Sequence, residues 1–136
     1  MNEKFKVLND RDHCLCRPDM YLGSTSLEER EYFLQGTLRR VQIVPALIKM
    51  TNEIIDNVID VAIRTGTKKI GMNVVVNRDN CTVEDTGPGI PVVSHETEGK
   101  LLPELAWTTL KAGTSFEENR EGPSANGVGA SLTCIF

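Results

Sequence analysis

The spacing of apolar and polar positions divides this chain into elements. The clearest is a long helix from Pro45, well placed in a first turn, to about Thr65, where Gly66 ends it. Along it Leu47, Ile54 or Ile55, Val58 and Ala62 fall at helical spacing and form an inward stripe. Glu53, Asp56, Asn57 and Asp60 recur at i, i+3, i+4 and i+7 and share another face. Strand patterns are expected at residues 31–35 and 37–43, with Gly36 between them, and at 69–77 and 81–85, joined by the turn Arg78-Asp79-Asn80. A short helix is expected over residues 9–16, capped by Asn9 or Asp10 and stopped by Pro18. A turn follows at Arg17–Gly23. Residues 102–112 read as a helix with Pro103 in its first turn, residues 113–126 as a polar, Gly/Ser-rich mobile loop, and 127–136 as the opening of a last helix.

Composition narrows the function classes. With 40% hydrophobic and 25% charged residues in 136, the chain is an ordinary globular sequence of single-domain size. Apolar runs fall short of the roughly 18 residues of a membrane span, and the start Met1-Asn2-Glu3-Lys4 is no signal peptide. No membrane association and a cytoplasmic location are therefore expected. A net charge of −4 argues against this segment gripping nucleic acid itself. His13-Cys14-Leu15-Cys16 is too tightly spaced for a zinc ligand pair, and no second pair follows, so the four cysteines are expected as reduced, mostly packed thiols.

Three segments carry candidate chemistry. A polar stripe is often a solvated helix face, and that reading stays open for residues 53–60. Surface stripes usually mix in lysine or arginine, however, whereas this one sets three carboxylates and one amide together, an arrangement suited to a cation. Glu84-Asp85-Thr86-Gly87-Pro88-Gly89-Ile90-Pro91 ends a strand. Its glycines allow close backbone approach to a ligand and Asp85 can accept a hydrogen bond from an amine; it also reads as a plain strand-to-loop turn. Asn126-Gly127-Val128-Gly129-Ala130-Ser131 opens a helix, where free N–H groups suit phosphate oxygens but a hinge would look alike. Neither the phosphate loop of P-loop enzymes nor the dinucleotide fingerprint is present.

In this order the three segments resemble the ATP site of the GHKL superfamily, which includes type II topoisomerases, Hsp90 chaperones, MutL proteins and sensor histidine kinases. Arg17-Pro18-Asp19-Met20-Tyr21-Leu22-Gly23 resembles the R-P-x-x-Y-[IL]-G of type II DNA topoisomerases. Val44-Pro45-Ala46-Leu47, Gly89-Ile90-Pro91-Val92-Val93 and Asn126–Ala130 are similar to the eukaryotic enzymes. Asp56, Ile59-Asp60 and Leu110-Lys111-Ala112-Gly113 are closer to gyrase. That mixture most resembles the T-even bacteriophage branch, over nearly the whole chain.

The resemblance implies an α/β (α+β) two-layer sandwich of the GHKL, or Bergerat, type, with helices on one face of a mixed sheet. Residues 1–136 would be an ATP-binding domain cut before its last strands. It implies Glu53 as the general base that activates water and Asn57 as the Mg²⁺ ligand. Asp85 would accept from the adenine amino group, with Gly87, Gly89 and Ile90 shaping that pocket. Thr114 and Ser115 would reach the ribose or phosphates, and Ser124, Ala125, Asn126, Gly127, Val128, Gly129, Ala130 and Ser131 would wrap the triphosphate. ATP and Mg²⁺ are the implied cofactors. The implied partners are a second ATPase domain in a homodimer, other topoisomerase subunits, and DNA held by the intact enzyme. For a phage protein the location is the host cytoplasm. Gyrases commonly place an arginine where this chain has Pro88 and its acidic partner where this chain has Val61, so the gyrase-type salt bridge, and with it coumarin recognition, is not expected. Other readings are a MutL-like or Hsp90-like ATPase, or a non-enzymatic nucleotide-binding fragment that binds a partner. The family's transducer lysine is missing from these residues, which implies little turnover by the fragment itself.

Overall fold

The structure, a computed structural model, describes residues 6–66, 69–111 and 128–136. They divide into two compact units, Met1–Met50 with Ile135 and Thr51–Cys134 with Phe136. The division falls within one continuous helix.

In the first unit, α1 spans Asp10–Cys16. The Asn9 side chain accepts from Asp12 N at 2.9 Å, and Asp10 and Asp12 place negative charge in the first turn, where the helix dipole favours it. Where the sequence suggests a turn at Arg17–Gly23, the chain forms a one-turn helix, α2, at Asp19–Leu22. Pro18 is the reason: its φ of −60° and ψ of −33° are already helical, and its carbonyl accepts from Tyr21 N and Leu22 N at 3.0 and 2.8 Å. Gly23, with φ +80°, ends the turn. Leu22 is buried, and the Tyr21 hydroxyl lies 2.8 Å from His13 Nδ1, tying α2 back to α1. Burial first, then the neighbouring Cys14 and Asp10, push the Tyr21 phenol above its ordinary pKa. Ala46 N donates to Ser24 O at 3.0 Å, so the end of the Arg-Pro motif fixes the chain's entry into the long helix.

Strands β1, Glu28–Leu34, and β2, Thr37–Ile43, pair antiparallel around Gln35-Gly36. Both turn residues have positive φ, +51° and +78°, the geometry that two-residue hairpins require. Arg30 pairs with Glu28 and Arg40 with Glu31 along the hairpin. The Glu28 carboxyl is held below the ordinary glutamate range by hydrogen bonding to Ser24 and then Arg30.

Helix α3 runs Pro45–Thr65, as its proline and the following Gly66 (φ +62°) predict. Its inward stripe differs at one end: Ala46 is buried, while Leu47 is 58% exposed. The chain crosses the first turn of α3 at Ala46, through the Ser24 bond, which leaves Leu47 outside.

In the second unit, β3 (Met72–Val76) and β4 (Cys81–Asp85) pair antiparallel. Both are shorter than or equal to the expected segments; β3 loses residues at each end of 69–77. Asn77 and Asn80 close the turn by backbone and side-chain bonds of 2.8 and 2.9 Å. The mixed sheet expected from the sequence is not formed among the described residues. Each strand pairs only with its chain neighbour across a short turn, and such a connection can give only an antiparallel ladder. Helix α4, Leu102–Thr108, ends before residue 112: Thr109 is extended at φ −119°, ψ 117°, and Lys111 is left-handed at φ +63°. Helix α5 is Gly129–Ile135. Among the described residues Val58, Leu105, Ser131 and Leu132 are the buried side chains of this unit.

The cysteines differ from expectation. All four are free, but only Cys14 is packed, since Cys16 ends α1, Cys81 begins an exposed strand and Cys134 lies near the exposed end of α5. No described helix is long and apolar enough to cross a membrane.

Candidate nucleotide site

The second unit brings two of the three candidate segments against α3. The first contact lies at the end of β4. Asp85 Oδ1 accepts from Gly87 N at 2.7 Å, which fixes the carboxylate. A Cβ at Gly87 would stand 2.6 Å from that same Oδ1, 3.1 Å from Val61 Cγ1 and 3.7 Å from Ile70 Cδ1. Gly87 is therefore glycine for space: α3 passes directly over it at Val61. Gly89 is glycine for a different reason. Its φ is +70° and nothing lies within 4 Å of an added Cβ, so conformation rather than crowding selects it. Ile90 is 44% exposed beside it.

Two residues that the sequence does not single out set this strand end. Thr86 holds Gly71 from both sides: its Oγ1 accepts from Gly71 N at 2.9 Å, and its N donates to Gly71 O at 3.1 Å. Val61, which the sequence marks only as a missing acid, is the residue that meets Gly87. The signal for Thr86 is its β-branched hydroxyl side chain one residue past a strand, opposite a glycine.

The second contact is at the start of α5. Among the described residues its first backbone bond of the i to i−4 kind runs from Leu132 N to Val128 O at 2.9 Å. The N–H groups of Gly129, Ala130 and Ser131 precede it and have no acceptor within the helix. A Cβ at Gly129 would fall on Glu53 Oε2 and stand 3.0 Å from both Cβ and Cδ of that residue. Glu53 thus lies along the opening of α5. Its companions Asp56, Asn57 and Asp60 are all half-buried, so this polar face is not simply the solvated side of the helix. The Ser131 side chain is placed otherwise than a phosphate ligand would be. It is 1% exposed, and its hydroxyl donates to Val128 O at 3.1 Å. Thr114, Ser115, Ser124, Ala125, Asn126 and Gly127 lie outside the described residues.

One helix therefore carries both contacts, Glu53 to Gly129 and Val61 to Gly87. The two positions are eight residues apart, and at 1.5 Å per residue they lie roughly 12 Å apart along the helix, about the reach of a nucleoside triphosphate. Among the described residues no three of His, Cys, Asp and Glu are grouped to hold a metal ion. A cation at Asn57 would be one that brings its own oxygen ligands.

The crowding at Gly87 gives a direct expectation. Gly87→Ala must displace the Asp85 carboxylate or lift the strand end from Val61, a clash that typically costs about 1–3 kcal/mol. Chemical denaturation should show that loss; unchanged stability would mean the strand end is not seated under α3.

No established family profile matches the chain. It is 42% identical over 142 residues to the DNA topoisomerase large subunit of Enterobacteria phage T4, covering 100% of this chain and 28% of that protein. Its fold matches the crystal structure of the ATPase region of Saccharomyces cerevisiae topoisomerase II with a TM-score of 0.87 at 26% identity, over 100% of this chain and 38% of that one. The ATPase and transducer domains of DNA topoisomerase II from Balamuthia mandrillaris match with a TM-score of 0.83 at 30% identity, over 97% of this chain and 36% of that one. The chain thus spans under a third of the phage T4 protein. Sequence, helix-and-strand content and fold agree in matching this chain, over nearly its whole length, to the ATPase region of the type II DNA topoisomerases.

Proposed function

We propose that this chain binds ATP with Mg²⁺ along α3 in a GHKL-type fold, as part of the ATPase of a type II topoisomerase. ATP-driven dimerisation of such domains then gates the passage of one DNA duplex through another. The carrying observation is that α3 meets both glycine segments, at Val61 and at Glu53, a nucleotide's length apart.

In this reading the Asp85 carboxylate, fixed by Gly87 N–H, accepts from the adenine amino group. Gly87, Gly89 and Ile90 form the wall beside the base. Val128, Gly129, Ala130 and the backbone of Ser131 face the phosphates. Asn57 offers a hard amide oxygen that suits Mg²⁺, and the bound ion supplies charge neutralisation at the phosphates. Glu53, held on a rigid helix, takes the proton of the attacking water. The acidic chain leaves the DNA grip to other parts of the enzyme.

Calorimetry tests the adenine assignment. The parent chain should prefer ATP to GTP, because a carboxylate acceptor rewards an exocyclic amine and repels a carbonyl. Asp85→Ala should lower ATP affinity by about tenfold or more, the loss expected of one charge-assisted hydrogen bond. Equal binding of ATP and GTP by the parent would overturn the assignment of Asp85. Absence of ATP binding at millimolar concentration in the intact enzyme would overturn the reading as a whole.

A further inference from the structure

Gly129 opens α5 with a backbone outside the left-handed region, so conformational freedom is not what a glycine supplies there. By helix propensity alone alanine would be the better residue. What excludes it is Glu53. The clash would run along that side chain from Oε2 through Cδ to Cβ. A carboxylate can swing away from a methyl group, but the Glu53 Cβ moves only with the α3 backbone. The contact is therefore not relieved by a change of rotamer at the tip.

We propose that Gly129 is a positioning residue for Glu53: its missing side chain is the slot in which the glutamate lies. This rests on the reading of Glu53 as the general base, but the slot itself is a property of the folded chain. It gives the second glycine of the Gly-x-Gly pair a duty separate from phosphate access. It also couples the carboxylate to the start of α5, so that a shift of that helix moves the base.

Thermal unfolding of four proteins tests the slot without any nucleotide: the parent chain, Gly129→Ala, Glu53→Gly and the double variant. Gly129→Ala should lower Tm by about 5 °C or more, the scale expected for a clash in a small domain. In the Glu53→Gly background, where Cβ, Cδ and the carboxylate are all gone, the same substitution should cost less than half as much. Equal costs in both backgrounds would overturn the proposal. If Gly129→Ala does not fold at all, folding of the double variant supports the slot and its failure to fold overturns it.

Kinetics of the intact enzyme supply a readout that mere structural damage would not give. Gly129→Ala should lower kcat by about 100-fold, a far larger effect than any rise in its KM for ATP, as a base displaced by about an ångström would. A raised KM with unchanged kcat would overturn the proposal and return Gly129 to phosphate access alone. Should Glu53→Ala retain full turnover, the general-base reading fails, and the thermal cycle still decides the slot on its own terms.

Discussion

Replacing Glu53 by alanine in the intact enzyme should reduce ATP turnover by about 10²–10⁴-fold while leaving nucleotide affinity close to that of the parent. The two effects separate because the carboxylate acts on water and has no attraction for an anionic triphosphate. Its removal relieves a repulsion in the ground state and deprives the transition state of a base. Glu53→Gln gives the stricter version, since it keeps the side chain's volume in the Gly129 slot while removing its basicity. Single-turnover hydrolysis alongside equilibrium binding is the measurement. A variant that keeps half its activity would sink the assignment and leave Glu53 as a packing residue of α3.

Removal of magnesium should have the second large effect. Glu53, Asp56 and Asp60 share a face of α3 with Asn57, and such a face repels a triphosphate unless a cation lies between them. EDTA is accordingly expected to weaken ATP binding severely. Asn57→Ala should weaken it by about 10–100-fold, the range seen when a group supporting a bound metal is lost. Titration calorimetry with and without Mg²⁺ checks both. Equal affinity in the two conditions would show that the phosphates lie away from this face.

The elements that local chemistry punctuates are legible in the sequence. Pro45 and Gly66 bracket α3 to the residue, and Asn9 caps α1 by the side-chain bond its type suggests. The β4 strand ends at Asp85 as its pattern indicates. The misses share a cause as well. The helical turn at Asp19–Leu22 depends on how Pro18 sets its own ψ, and Gln35 enters the left-handed region because the hairpin twist demands it of whichever residue stands there. Neither is written in residue type. For the proposed site, sequence gives the segments but not which of their residues meet. That Glu53 lies against Gly129, and Val61 over Gly87, are pairings between residues distant in the chain, which helical or strand periodicity cannot express. Ser131 shows the converse: a hydroxyl in a segment proposed to bind phosphate, whose bond goes to the carbonyl of the N-cap residue Val128.

The two glycines of Asp85-Thr86-Gly87-Pro88-Gly89 bear on how this strand end can drift over evolutionary time. Gly87 is crowded by the Asp85 carboxylate and Val61, so a side chain there costs stability until a compensating change in a neighbour relieves it. Gly89 stands in open space and answers only to its backbone angle, which asparagine and aspartate also tolerate at modest cost. As far as folding is concerned, a lineage can lose the second glycine in one step but the first only in two. Distant relatives are then to be sought with a pattern that holds the first glycine fixed and admits asparagine or aspartate at the second.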